Sequence, residues 1–208
     1  MIYVRDDDID LRAIITHIPF LKYKIKVDLG IITSRPMPVK FIKKHMKMYE
    51  ICNHTHSHKT IEFIKWSEKD QRKDIEKANK IIKKKLGVTP RYFVPPASRY
   101  DKKMLEVSES LGLELHPMYD EGNWMVEILY YIPPVEKFDK DMEKICRDLG
   151  KKIHPDFKNH FHFKAKHKFE KKEGWYIIHT SLFQPNFISV EKQMKYLSEN
   201  KLTHFWKD

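Results

Sequence analysis

Short apolar runs alternate along the chain with stretches in which apolar residues recur at helical spacing, a pattern expected of repeated βα units around a parallel sheet or barrel. Ile2 to Arg5 reads as a first strand that delivers Asp6, Asp7 and Asp8 at its C-terminal end. A helix is expected from Leu11, a second strand over Ile25 to Ile32, and a helix opened by Pro38 with Phe41, Ile42 and Met46 on one side. Tyr49 to Cys52 forms a third strand and runs directly into a cluster of histidines.

Ser67 and Asp70 mark the start of the clearest helix, whose apolar face is Ile75, Ala78, Ile82 and Leu86 and which Gly87 and Pro90 close. Tyr92 to Val94 is the next strand, ending in Pro95-Pro96. Asp101 caps a helix that runs to Gly112, and Leu113 to Leu115 starts another strand. Ile128 to Ile132 and Trp175 to Ile178 are further strand candidates, and Val190 to Leu197 makes a last amphipathic helix. Between them, Glu136 to Lys172 reads as a helix followed by a long excursion rich in Lys and His. About seven strands result, which fits a distorted (β/α)7 barrel with its site at the C-terminal ends of the strands; an open doubly wound sheet is the second choice.

Composition changes this picture little. The 208 residues, 41% of them apolar, suffice for one hydrophobic core, so a single domain over 1–208 is expected. The formal net charge of +11 favours anionic partners, but much of the excess lies in runs such as Lys83-Lys84-Lys85 on the wet face of a helix. A solvated face is therefore preferred to a nucleic-acid surface. Cys52 and Cys146 form no CxxC pair and suggest neither a disulfide framework nor a thiolate zinc site. No signal peptide opens the sequence and no run approaches the roughly 18 apolar residues of a membrane span, so a soluble cytoplasmic protein is expected.

The chemistry-bearing residues fall just beyond strand ends, and a parallel barrel gathers such ends on one face. Asp6 to Asp8 follow the first strand, His54, His56 and His58 the third, Pro95 to Ser98 the fourth, Asp120 to Trp124 the fifth, and His179 the last. In one helical turn, His54 and His58 share a direction while His56 points away; in an extended segment all three share a face. The spacing does not choose. Two imidazoles and a carboxylate form a common ligand set for a catalytic zinc or similar ion, and a second carboxylate beside it would serve as general base.

Taken together, VRDDDI, EICNHTHSH, RYFVPPASRY, DEGNW and WYIIHT resemble, in order and approximate spacing, the five motifs of the polysaccharide deacetylase family, carbohydrate esterase family four. The resemblance covers nearly the whole chain. It implies that Asp8, His54 and His58 hold one divalent metal, zinc first with cobalt, nickel or manganese as alternatives, and that His56 is not a ligand. Asp7 is then the base and His179 the acid that protonates the leaving amine. Asp120 orients that histidine, and Ala97 offers a backbone N–H to the oxyanion. Trp124 forms a wall of the substrate groove, with Pro96 and Arg99 as further candidate substrate contacts.

The implied activity is hydrolysis of an N-acyl group, acetyl above all, from an amino sugar or glycan by attack of metal-bound water. Two departures stand out. The family's third motif carries an arginine before its first proline, where this chain has Val94; Arg5, Arg91 or Arg99 would have to supply that charge, with a slight preference for Arg99. Asn123 stands where a second motif-four aspartate is usual. The alternatives are a metal- and glycan-binding protein that has lost the chemistry on the same scaffold, and a basic nucleic-acid-associated protein. The group His154, His160, His162 and His167 reads as a basic excursion beside the groove, and His17, His45, His116 and His204 as residues of core edges and surface.

Overall fold

The computed structural model describes residues 2–11, 13–116, 125–128 and 174–179. Among these residues seven strands are present, β1 (Ile2–Asp7), β2 (Val27–Ile31), β3 (Tyr49–Asn53), β4 (Tyr92–Phe93), β5 (Glu114–Leu115), β6 (Met125–Ile128) and β7 (Gly174–His179). Among the described residues six α-helices lie between them, α1 (Ala13–Thr16), α2 (Ile18–Lys22), α3 (Val39–Lys44), α4 (Thr60–Phe63), α5 (Glu68–Leu86) and α6 (Lys102–Ser110). The expected α/β architecture is the one observed. The helix expected from Leu11 is two short pieces, and the sixth strand begins upstream of Ile128. The Glu136 to Lys172 excursion and the helix at Val190 to Leu197 lie outside the described residues.

Every ladder is parallel, in the order β5-β4-β3-β2-β1-β7-β6. This is the circular order of a (β/α)7 barrel cut between β5 and β6. A doubly wound sheet instead reverses its order in the middle. Here the chain passes from β5 at one edge to β6 at the other, a short connection only when the sheet curls those edges together. Among the described residues no ladder joins β5 to β6.

The α5 helix shows how locally the elements are determined. Ser67 Oγ accepts from the Asp70 N–H at 3.2 Å, a cap worth about 1 kcal/mol, and Gly87 ends the helix at φ 84°, where a side chain would be strained. Its face of Ile75, Ala78, Ile82 and Leu86 is buried, at about 2 kcal/mol for each large apolar side chain. Asp101 caps α6 in the same way through the Met104 N–H at 2.9 Å.

The sheet has two unlike faces. Val27, Leu29, Ile31, Tyr49 and Ile51 pack with Ile82 and Leu86 in the main core. The alternate positions are polar: Arg5, Asp28 and Glu50 stand in register across β1, β2 and β3, and one step further on Gly30 is beside Cys52. This inner face also takes His116, which is fully buried with its Nε2 3.0 Å from Asp28 Oδ2. His17 is likewise core, its Nε2 2.6 Å from Asp6 Oδ2 and its Nδ1 3.2 Å from the Tyr49 hydroxyl. Neither is an edge or surface residue, because each is matched to a buried carboxylate.

Candidate metal centre

The site grows from the ends of β1 and β3. After Asp7 the chain turns at Asp8 with φ 64°, and after Asn53 it turns through Thr55 (φ 67°) and His58 (φ 52°). Ala97, beyond β4, has φ 53°. Left-handed backbone at non-glycine residues costs about 1 kcal/mol or more each; apart from Lys24, the described residues that adopt it all follow the strand ends that carry the candidate chemistry.

Side-chain and backbone bonds hold the histidine turn in place. Asn53 Nδ2 donates to the Ile75 carbonyl at 3.0 Å and to Asn79 Oδ1 at 2.7 Å, while its Oδ1 accepts from the Thr55 N–H at 2.8 Å. Asp74 Oδ2 accepts from the N–H groups of His56 and Ser57 at 2.8 and 3.2 Å. The Thr55 hydroxyl accepts from the His58 N–H at 3.0 Å. The segment is neither a helical turn nor an extended strand. Its left-handed residues bring His54 and His58 together, with ring centroids 4.7 Å apart, and His56 leaves in another direction to meet Thr33 Oγ1 at 2.9 Å.

Asp8 Oδ1 lies 3.4 Å from His54 Nε2 and 3.1 Å from His58 Nε2, and the two nitrogens are 3.1 Å apart. All three ligating atoms fall within 4.8 Å of one another. His54 Nδ1 donates to the Val94 carbonyl at 2.7 Å, which turns its Nε2 lone pair toward the other two residues. Asp8 Oδ1 is buried and faces both imidazole Nε2 atoms. Three converging acceptors, two imidazole nitrogens and a carboxylate oxygen, fit a divalent cation such as zinc.

Without an ion, the three groups act on one another's charge. Burial pushes the Asp8 carboxyl up, but the hydrogen bond with His54 and the charges of His54, His58 and Arg35 outweigh it and hold it well below the usual carboxylate range. Burial likewise works against protonation of His54, yet Asp7 and Asp8 raise it above its ordinary value. Burial and the neighbouring His54 push His58 down to about 4.

Asp7 is held apart from this trio. Arg5 Nη2 donates to Asp7 Oδ2 at 2.6 Å, with the arginine wholly buried. The slight preference for Arg99 is corrected: Arg99 is exposed, Arg91 pairs with Glu114 at the far end of β4, and Arg5 on the same strand makes the contact. Gly30 makes room for the other oxygen, since a Cβ there would stand 2.7 Å from Asp7 Oδ1. On the opposite side, β7 sets His179 in register with Asp7.

Arg35, which carried no signal in the sequence, places Nη1 3.2 Å from Asp8 Oδ2. A lone arginine in a loop becomes visible only when the ends of β1 and β2 are side by side. Pro96 is buried and Ala97 exposed in the turn after β4. Asp120 and Trp124 lie outside the described residues. Cys52 is fully buried, and burial together with Asp28 and Glu50 pushes its thiol well up, so it is no nucleophile.

Residues 24–116 match the family model described as polysaccharide deacetylase. Solved structures carry the likeness across the chain. The family 4 acetyl xylan esterase of Clostridium thermocellum, in complex with a cobalt ion, is 15% identical with a TM-score of 0.59, over 97% of this chain and 84% of that one. The peptidoglycan deacetylase PdaC of Bacillus subtilis is 17% identical with a TM-score of 0.57, over 96% and 84%. A family pseudoenzyme of Bacillus anthracis is 13% identical with a TM-score of 0.56, over 96% of this chain and 61% of its own. No curated protein matches the sequence. Among the described residues no helix is long and apolar enough to cross a membrane.

Proposed function

We propose that this chain is a metal-dependent hydrolase that removes an N-acyl group, acetyl above all, from an amino sugar within a glycan. The observation that carries the reading is the convergence of Asp8, His54 and His58 beside a carboxylate, Asp7, that is held by Arg5 and is not part of the ligand set. The family of the matched segment supports the substrate class. Asp8 Oδ1 and the two Nε2 atoms would hold the ion, with zinc the first choice. A divalent ion in that set supplies Lewis acidity toward water and a carbonyl oxygen.

The chain's own groups do the rest. Asp7 takes a proton from the attacking water, whose oxygen adds to the amide carbon. The Ala97 N–H donates to the oxygen that gains charge. His179, in register with Asp7 across β1 and β7, gives a proton to the amine nitrogen as the C–N bond breaks, leaving a carboxylic acid and a free amino sugar. Asp120 orients His179, and Trp124 walls the sugar.

The test is metal analysis of the purified protein together with acetate release from N-acetylated chitooligosaccharides. Turnover in the wild type that is lost in Asp7→Asn, with metal retained, is the expected result. Metal bound without turnover of any acyl amide would overturn the hydrolase in favour of a binding protein on this scaffold.

A further inference from the structure

The turn that carries the metal ligands has a second face. His56, which points away from His54 and His58, lines an open cavity of about 320 Å³ together with Trp66, Asp70, Lys73, Asp74 and Lys77. Resting on the deacetylase reading, we propose that this cavity is a secondary sugar site, which takes a neutral pyranose ring of the same glycan chain one or more units away from the reacting sugar.

The residue types are those a neutral sugar needs. Its ring offers an apolar C–H face and a rim of hydroxyls, so recognition calls for one fixed aromatic surface and several donors and acceptors around it. Trp66 supplies the surface. It is half-buried, it packs on Phe63 with ring centroids 5.2 Å apart, and Lys103 Nζ fixes its carbonyl at 2.8 Å, so little ordering remains to be done on binding.

The rim is preset in the same way. Asp74 Oδ2 is fixed by two N–H groups of the histidine turn, and Asp70 Oδ2 by the Ser67 hydroxyl at 2.6 Å, which leaves an oxygen of each to accept from hydroxyls. The exposed ammonium groups of Lys73 and Lys77 supply donors, and His56 is steadied at Nδ1 by Thr33 with Nε2 to spare. Two carboxylates and two ammonium groups balance, which suits an uncharged ligand better than an acidic one. His56 lies on the same turn as His54 and His58, so the segment that carries two of the candidate ligands also forms a wall of the cavity.

Calorimetric titration of the zinc-loaded full chain with N-acetylglucosamine and with penta-N-acetylchitopentaose tests the site, alongside acetate release from the pentamer. The pentamer is expected to bind at least about tenfold tighter than the monomer, and Trp66→Ala or Lys77→Ala to lose about that factor for the pentamer while leaving monomer affinity as it was. Lys77 is exposed, so its variant keeps the test sound if Trp66→Ala fails to fold. Pentamer affinity unchanged in the folded variants, with acetate still released, overturns the cavity and leaves the deacetylase reading standing. Failure of the wild type both to bind and to turn over the sugars overturns both.

Discussion

Arg5 and Asp7, two residues apart on β1, meet through a 2.6 Å ion pair on the inner face of the sheet, so a single strand carries both the candidate base and its counter-charge. Two charges so deeply buried depend on each other more than either adds to stability. Arg5→Met should cost about 3 kcal/mol in urea denaturation, as should Asp7→Asn to a lesser degree. The double variant should recover part of the sum, because neither charge is then left without the other. Strict additivity would mean that the pair is not coupled.

Gly30 is needed for space and not for backbone freedom. Gly30→Ala drives a methyl to 2.7 Å from Asp7 Oδ1. Overpacking of this kind costs about 1–3 kcal/mol. Turnover should fall by a factor of about ten or more while zinc stoichiometry, measured after dialysis, stays at the wild-type value. Loss of zinc would place the disturbance at Asp8 instead.

The three histidines of the turn should separate cleanly in metal content. His54→Ala and His58→Ala are expected to lose bound zinc on dialysis, and His56→Ala to keep it, because only the first two direct Nε2 toward Asp8. Zinc retained by His58→Ala would remove that residue from the ligand set.

Acidity acts on the metal-free protein with opposite signs at the two ligands. His58, depressed to about 4, binds fewer protons folded than unfolded, so stability rises with pH from about 4 to the ordinary imidazole value. His54, raised above that value, contributes stability that is full below it and is lost as pH climbs through the folded pKa. Metal-free melting temperature should therefore peak near pH 6.5, a value set by the unperturbed imidazole, about 6.5. The increment added by zinc should grow with pH across the same range, since ligation needs both rings neutral. A zinc increment independent of pH would exclude imidazole ligation.

Much of this was legible in the chain because the signals were local. The caps at Ser67 and Asp101, the glycine stop at Gly87 and the strands at Tyr49 and Tyr92 follow from a few neighbouring residues each. What escaped depends on neighbours far apart in sequence. Arg5 was one of three arginines open for Asp7 because strand pairing, which decides among them, has no local signature. His17 and His116 passed for peripheral residues because the carboxylates that make their burial tolerable, Asp6 and Asp28, lie 11 and 88 positions away. Arg35 against Asp8 is of the same kind.

What position 94 gives the metal centre is a carbonyl, the acceptor for His54 Nδ1. A peptide group is the same whatever side chain stands beside it. The side chain at 94 is therefore invisible to the histidine, and a valine there costs the metal centre nothing that the backbone supplies. Arg5 meets Asp7 from within β1, so the counter-charge of the carboxylate and the orientation of His54 come from two independent parts of the sheet.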